Sequence, residues 1–481
     1  MPKNNPAAYL PGLATTLSNL GILYTKTGQL KDAESPYQES LEIRRQLAKD
    51  NPAAYLPALA STLNNLGNLY LDTQRLKDAD SALQESLANY RQLVKDNPAT
   101  YRPDVAMTLN NLGNLYSQRG RLIEADSVYQ ESLTTYRQLA KDNSSAYLPS
   151  VANSLNNLGN LYRRTQRLKD AGSAYQECLE IRRQLAKDNP AAYLPDLADA
   201  LNNIGTLYGD TQQLKDAELA YRESLGLYRQ LSKDNPVSYR LNLAGVLHNL
   251  GDLYRDTQRI NDAELAFQES LAARRQLAKD NLNANLPDLA KCLNALGNLY
   301  SNTQRLKEAE SAYQESLEIF RQLAKTNPTS YVRSVATTLN DLGTIYNATQ
   351  RPKDAESAFQ ESLGIYRQLA KDSQSAYVPD IATTLHNLGI LYSVTDRLKD
   401  AEATFQECLR SWRELAKTDP RAYGDKLAKT LLALALTAAK SDTDTNRRCV
   451  LLKEAIKVAV SEQVRGLAVK DEKVACKGQT Q

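Results

Sequence analysis

An asparagine recurs just before a Leu-Gly or Ile-Gly step at Asn19, Asn65, Asn111, Asn157, Asn203 and Asn249, gives way to Ala295 and Asp341, and returns at Asn387. A carboxamide carries two N–H donors and an acceptor oxygen. That set complements the C=O and N–H of a peptide main chain, so a row of amides suits peptide recognition. Asparagine is also a mediocre helix former, and its recurrence in a helical pattern asks for a reason. Three residues further on, Asn68, Asn114 and Asn160 extend the amide-rich row, with Ile22, Thr206 and Asp252 among their equivalents. The wall so defined is nearly neutral. Arg163, Arg164 and Arg255 are the exceptions, and they would favour an acidic segment locally.

Residues suited to catalysis are few. The only histidines, His248 and His386, stand where other copies carry the first residue of an Asn-Asn pair, and solvated helix-face positions are expected for both. The chain has no Gly-rich phosphate loop, no nucleophile elbow and no metal-binding cluster. The reading is a protein that is no enzyme, with no catalytic residue, no metal and no cofactor. Cys178 and Cys408 fall at a position that is serine in the other seven copies, and should pack as small residues between helices. Cys292, Cys449 and Cys476 show no metal-ligand spacing.

The elements that must hold these residues are written into a 46-residue period. It begins at Asn5, Asn51, Asn97, Asn143, Asn189, Asn235, Asn281, Asn327 and Ser373, without insertion or deletion. A fixed period of this length marks one supersecondary unit stacked on itself. Such a unit cannot bury its own apolar face and is stabilised by its neighbours. Within the second copy, Leu59, Leu63, Leu66, Gly67 and Tyr70 share one helical face, and Ala79, Leu83, Leu87, Tyr90 and Leu93 share another. Pro57 is expected at the first helical position, and Thr73-Gln74-Arg75-Leu76 breaks the pattern. Strand signals are absent. A mid-helix glycine recurs from Gly21 through Gly67 and Gly113 to Gly389, although glycine costs about 1 kcal/mol against alanine there. Alanine follows twelve residues later in every copy, so two small residues are expected to let facing backbones approach. Pro36 falls inside the second helix of the first copy and should weaken it.

The set Leu66-Gly67-x-x-Tyr70, followed by Ala79 and Leu83, resembles the tetratricopeptide repeat (TPR) in spacing. The longer unit, LNNLGNLY followed by KDAExAYQESLEIYRQLAKD and NP, is most similar to the extended repeats of kinesin light chains and their bacterial relatives. Its second helix is longer than that of the basic repeat and lacks the closing proline, and Ala-Ala-Tyr-Leu adds a few residues. The resemblance implies an all-α, right-handed α-solenoid, a TPR superhelix of antiparallel helix pairs. It also implies that the Asn row lies on a concave face and grips the backbone of an extended peptide.

Residues 1–418 are thus expected to form nine tandem repeats, and 419–481 a degenerate C-terminal capping repeat with a short tail. The net charge of +3, with both signs interspersed in every copy, offers no basic stripe for nucleic acid. No apolar run approaches the roughly 18 residues of a membrane span. A soluble, cytoplasmic protein is expected. Its role would be a non-catalytic scaffold binding an extended peptide or partner protein in a concave groove. The alternative is self-assembly, with copies stacking end to end into oligomers or filaments through the unpaired apolar face of the first repeat.

Overall fold

The computed structural model describes residues 9–280, 282–372, 374–440 and 445–476, and every regular element among them is a helix. The starts expected at Asn5, Asn281 and Ser373, and residues 441–444 of the polar insert before the last copy's second helix, lie outside the described residues. The helices fall into two units, residues 1–242 and 243–481.

The first unit runs α1 (Leu10–Lys26), α2 (Leu30–Asp50), α3 (Pro52–Asp72), α4 (Leu76–Asp96), α5 (Pro98–Gln118), α6 (Leu122–Asp142), α7 (Ser144–Arg164), α8 (Leu168–Asp188), α9 (Pro190–Asp210) and α10 (Leu214–Asp234). The chain passes into the second unit along α11 (Pro236–Asp256). There follow α12 (Ile260–Asp280), α13 (Leu282–Asn302), α14 (Leu306–Thr326), α15 (Pro328–Ala348), α16 (Pro352–Asp372), α17 (Gln374–Val394) and α18 (Leu398–Thr418). The last three are α19 (Pro420–Lys440), α20 (Thr445–Val458) and α21 (Glu462–Ala475). Within each unit, consecutive helices pack side by side as antiparallel pairs, the arrangement of an all-α solenoid.

The first helix of a copy starts earlier than Pro57 suggests. Asn51 caps α3, its Oδ1 accepting from the Ala54 N–H at 3.2 Å, and Pro52 takes the first helical position. Pro57 lies inside the helix instead. Asn97, Asn143 and Asn189 cap their helices in the same way, so the Asp-Asn junction, followed by proline after Asn97 and Asn189 and by Ser144 after Asn143, is a helix-start signal. The helix ends in a tight reversal. Gln74 adopts a φ of 61°, and the Arg75 N–H closes back on the Tyr70 carbonyl at 2.8 Å. Positive φ strains a residue with a Cβ, and Gly28 and Gly120 fill this position in two copies.

The recurring glycine is covered by a ring, not by the alanine expected opposite it. A Cβ added at Gly159 would lie 2.5 Å from Cε1 of Tyr175, sixteen residues on. Tyr221, Phe267, Tyr313, Phe359 and Phe405 cover their glycines likewise, and Leu83 covers Gly67. Beside the ring, a buried hydroxyl ties the two helices together: Ser86 Oγ donates to the Ala60 carbonyl at 2.8 Å and Ser132 Oγ to Ala106 at 2.7 Å. Cys178 and Cys408 do the same through sulfur, to Ala152 at 3.2 Å and Ala382 at 3.1 Å. They are the buried small residues that the sequence suggested.

Neighbouring copies are joined by two rows of ion pairs. Arg137 reaches Glu177 at 2.6 Å and Arg321 reaches Glu361 at 2.7 Å, each forty residues on. Arg167 pairs with Asp126 of the preceding copy at 2.6 Å and lies 4.0 Å over the Tyr162 ring. The helix α2 continues through Pro36, which is buried. A disulfide that spacing did not reveal joins Cys449 of α20 to Cys476, the residue that follows α21. Two cysteines 27 residues apart meet only because those helices fold back on one another.

The ring over the glycine predicts opposite outcomes for two glycines. Gly159→Ala should destabilise by about 1–3 kcal/mol through overpacking, against a helix-propensity gain of about 1 kcal/mol. Gly226→Ala, in α10 with open space around its Cβ position, should stabilise by about 1 kcal/mol. Thermal melting of the two variants reads the difference, and a stabilised Gly159→Ala would show that the ring contact is not tight.

Candidate functional site

The Asn row holds the copies together as well as presenting amides. In the first unit the Asn111 amide donates to Asn64 Oδ1 at 3.0 Å, Asn157 to Asn110 at 3.3 Å and Asn203 to Asn156 at 2.9 Å. In the second unit Asn387 donates to Asn340 at 3.1 Å. Each bond joins a row residue to the asparagine just before the row position of the preceding copy, which in the first unit is the first residue of an Asn-Asn pair. It uses one of two amide hydrogens, leaving the other hydrogen and the carbonyl oxygen. The doublet itself was the signal, since the second residue presents an amide and the first anchors it. Asn19 is exposed, and Asn249 is half-buried and partnered. Asn65 makes no side-chain hydrogen bond among the described residues, because the first copy carries Ser18 where later copies carry the acceptor amide.

The second row is anchored through the rings. The Tyr129 hydroxyl donates to Asn114 Oδ1 and the Tyr175 hydroxyl to Asn160 Oδ1, both at 2.6 Å. Burial pushes the Tyr175 phenol up to about 12, so it remains a donor at any ordinary pH. In the second copy Leu83 replaces the tyrosine, and Asn68 is left without a side-chain partner among the described residues. Five of the expected residues, Asn68, Asn111, Asn114, Asn157 and Asn160, line one cavity of about 520 Å³ in the first unit.

The arginines expected to draw an acidic segment are already engaged. Arg163 pairs with Asp210 at 3.1 Å, and Arg164 donates to the Ser117 carbonyl at 3.1 Å and to Ser117 Oγ at 2.6 Å. Arg255 pairs with Asp252 at 2.7 Å and Asp256 at 3.0 Å. The cavity's carboxylate, Asp72, has its pKa raised by burial.

Neither histidine is a solvated surface residue. His386 and His248 are half-buried, with ring centroids 6.0 Å from Phe405 and 5.4 Å from Phe267. Burial lowers both pKa values, that of His386 to about 4, so each is neutral at pH 7. His386 Nδ1 lies 2.9 Å from Thr430 Oγ1, a contact between neighbouring copies. His248 has a carboxylate one turn away, with Asp252 Oδ2 at 3.6 Å from Nε2.

The break in the row at Asp341 has a measurable consequence. Asn294 Oδ1, the acceptor that a row asparagine at this position would satisfy, is buried without a partner. Burial raises the Asp341 carboxyl from 3.8 to about 7, against a weak Asn340 contact that lowers it. A folded-state pKa above the unfolded value gives a stability contribution that is complete below about 4 and lost as pH rises through about 7. Asp341→Asn removes the charge and restores the missing donor. It should raise the melting temperature more at pH 8 than at pH 5, and an equal gain at both would show that Asp341 does not titrate in this window.

Two family models, both described as tetratricopeptide repeat, match the chain, one over residues 59–138, 104–184 and 150–230 and the other over 13–53, 243–281, 289–328, 335–374 and 381–421. No curated protein matches it. Among solved structures it is similar to a signal-transduction ATPase with a tetratricopeptide repeat sensor from Pyrococcus horikoshii, with a TM-score of 0.57 and 13% identity over 86% of this chain and 55% of that one. It is also similar to BtubC (BKLC) from P. vanneervenii, with a TM-score of 0.43 and 21% identity over 52% of this chain and 92% of that one. At these identities the first likeness shows a shared fold, and the second adds no argument. The repeat matches span most of the sequence, and they agree with paired helices closed by a ring over a glycine: the chain belongs to the tetratricopeptide repeat family.

Proposed function

We propose that the chain is a non-catalytic protein-interaction scaffold that holds an extended peptide, or an extended segment of a partner protein, along its asparagine rows. In this reading the repeats of 1–418 form a right-handed superhelix with the rows on its concave face, and 419–481 cap its end. The observation that carries the reading is the convergence of Asn68, Asn111, Asn114, Asn157 and Asn160 on one cavity. Four of these amides are held in place by protein hydrogen bonds that leave further donors and acceptors unused, and Asn68 keeps its whole amide. Recognition therefore centres on the second to fourth copies. None of the helices of the described residues is long and apolar enough to cross a membrane. Disulfides persist in oxidising compartments and are rare in the cytosol, so the Cys449–Cys476 bond weighs against the cytoplasmic expectation.

A second observation favours self-association as a further property. Leu13 and Leu23 are 45% and 56% exposed, whereas their equivalents Leu59 and Leu69 are 6% and 1% exposed beneath the preceding copy. If two molecules meet through this face, apparent mass in sedimentation should rise with concentration, and Leu13→Lys with Leu23→Lys should abolish the rise. A wild-type mass that stays constant with concentration would sink this reading.

The groove is tested with a peptide selected from a display library on the full chain. Asn68→Ala should weaken binding by about two- to tenfold with an unchanged melting temperature, since one hydrogen bond contributes about 0.5–1.5 kcal/mol. Asn111→Ala, Asn157→Ala and Asn203→Ala combined should weaken it about tenfold or more. The combined variant should also melt earlier, because buried acceptors such as Asn64 Oδ1 lose their donors, which outweighs the gain in helix propensity. Binding should depend weakly on salt. An affinity that survives all four substitutions places recognition on another surface.

A further inference from the structure

The last cleft between second helices differs from its predecessors in charge. Between α14 and α16, over α15, the regular cleft is lined by Leu317, Glu318, Arg321 and Tyr346. The Tyr346 hydroxyl lies at its wall and accepts from Gln314 at 3.2 Å, and the cleft holds a cavity of about 610 Å³. The equivalent cleft between α18 and α20, over α19, has Ala438 in place of that tyrosine and Arg410 in place of Glu318. It is a cavity of about 530 Å³ with Leu409, Leu434 and Leu451 at its floor and Arg410, Arg413 and Arg447 around it.

The three arginines are not equivalent. Arg413 is held by Glu454 through two hydrogen bonds of 2.8 and 2.7 Å, and Arg447 pairs with Glu402 at 2.6 Å. Both continue the ion-pair rows between copies, so their charge is compensated. Arg410 is exposed and has no ion pair or side-chain hydrogen bond among the described residues. No other copy has a cation at this position. The first, fourth and seventh carry Glu42, Glu180 and Glu318, and the rest carry Ala, Thr or Gly. An unpaired guanidinium beside an apolar floor, flanked by two more whose forks are fixed, is matched to a planar carboxylate.

We infer that this cleft docks an acidic segment of a partner protein, with a Glu or Asp carboxylate on Arg410 and a neighbouring apolar side chain on the leucine floor. The complementarity is one of charge: among the described residues that line the cleft, the uncompensated charge is the Arg410 cation, and the flanking arginines are already paired. The site lies on helices that contribute nothing to the asparagine cavity, and it does not rest on the groove reading.

The test uses the full chain and a fluorescein-labelled eight-residue peptide of alternating glutamate and leucine, followed by anisotropy, with a glutamine–leucine peptide as the uncharged control. Saturable binding of the acidic peptide is expected, at least about tenfold tighter than the control and weakening as salt rises. Arg410→Glu, which installs the residue of three other copies, should reduce affinity about tenfold or more at an unchanged melting temperature. Asn68→Ala should leave it unaltered, which separates this site from the groove. Absence of saturable binding, equal binding of the control, or full affinity in Arg410→Glu would each overturn the proposal.

Discussion

A ring laid across a glycine sets the spacing within every copy but the second. The Tyr175 ring occupies the space in which a Cβ of Gly159 would stand, so the paired helices lie as close as a backbone and an aromatic face allow. The same ring reaches the face that carries the second row of amides, where its hydroxyl holds Asn160. One contact therefore closes the core and orients a candidate recognition residue. Where leucine replaces the ring, at Leu83, the core still closes but Asn68 is left unheld.

The copies are held by contacts within each helix pair and by contacts with the adjacent copy. The ring over the glycine and a buried serine or cysteine tie the two helices of a copy to each other, and the asparagine bonds and ion-pair rows cross to the next one. The exposed ion pairs are individually weak, about 0.2–1 kcal/mol each, but they recur between copies and fix the register. They persist into the last copy, where Arg413–Glu454 spans 41 residues instead of 40 and Arg447–Glu402 bridges the inserted segment. Such one-dimensional coupling tolerates local departures, including Pro36 within α2 and Asp341 in the asparagine row.

The polar rows serve cohesion and recognition together. An amide has enough donors and acceptors to hold a neighbour and still face outward, which a carboxylate cannot do. Asp341 shows the cost of substitution, with an orphaned acceptor at Asn294 and a carboxyl driven toward neutrality by burial. His386 shows a tolerated one, since a neutral imidazole still meets Thr430 of the next copy. Recurrence of the row therefore does not by itself argue for a ligand. The stronger sign is the cavity in which amides from the second to fourth copies converge.

The sequence alone determined the repeat, the helix pairs and the family, because period, apolar spacing and turn residues are local properties that survive without coordinates. It also marked the Asn positions, as an amide on a regular helical face can be read from spacing. What lay opposite each residue could not be read that way. The ring over the glycine, the partner amide 47 residues back, the burial of His248 and His386 and the closure of Cys449 on Cys476 all depend on which helix faces which. Pro57 misled for a related reason: two prolines, five residues apart, both suit a helix start, and only the Asn51 cap decided between them. Local chemistry chose the elements, and contacts between elements decided which polar groups were spent on cohesion and which, like the amide of Asn68, were left to meet something else.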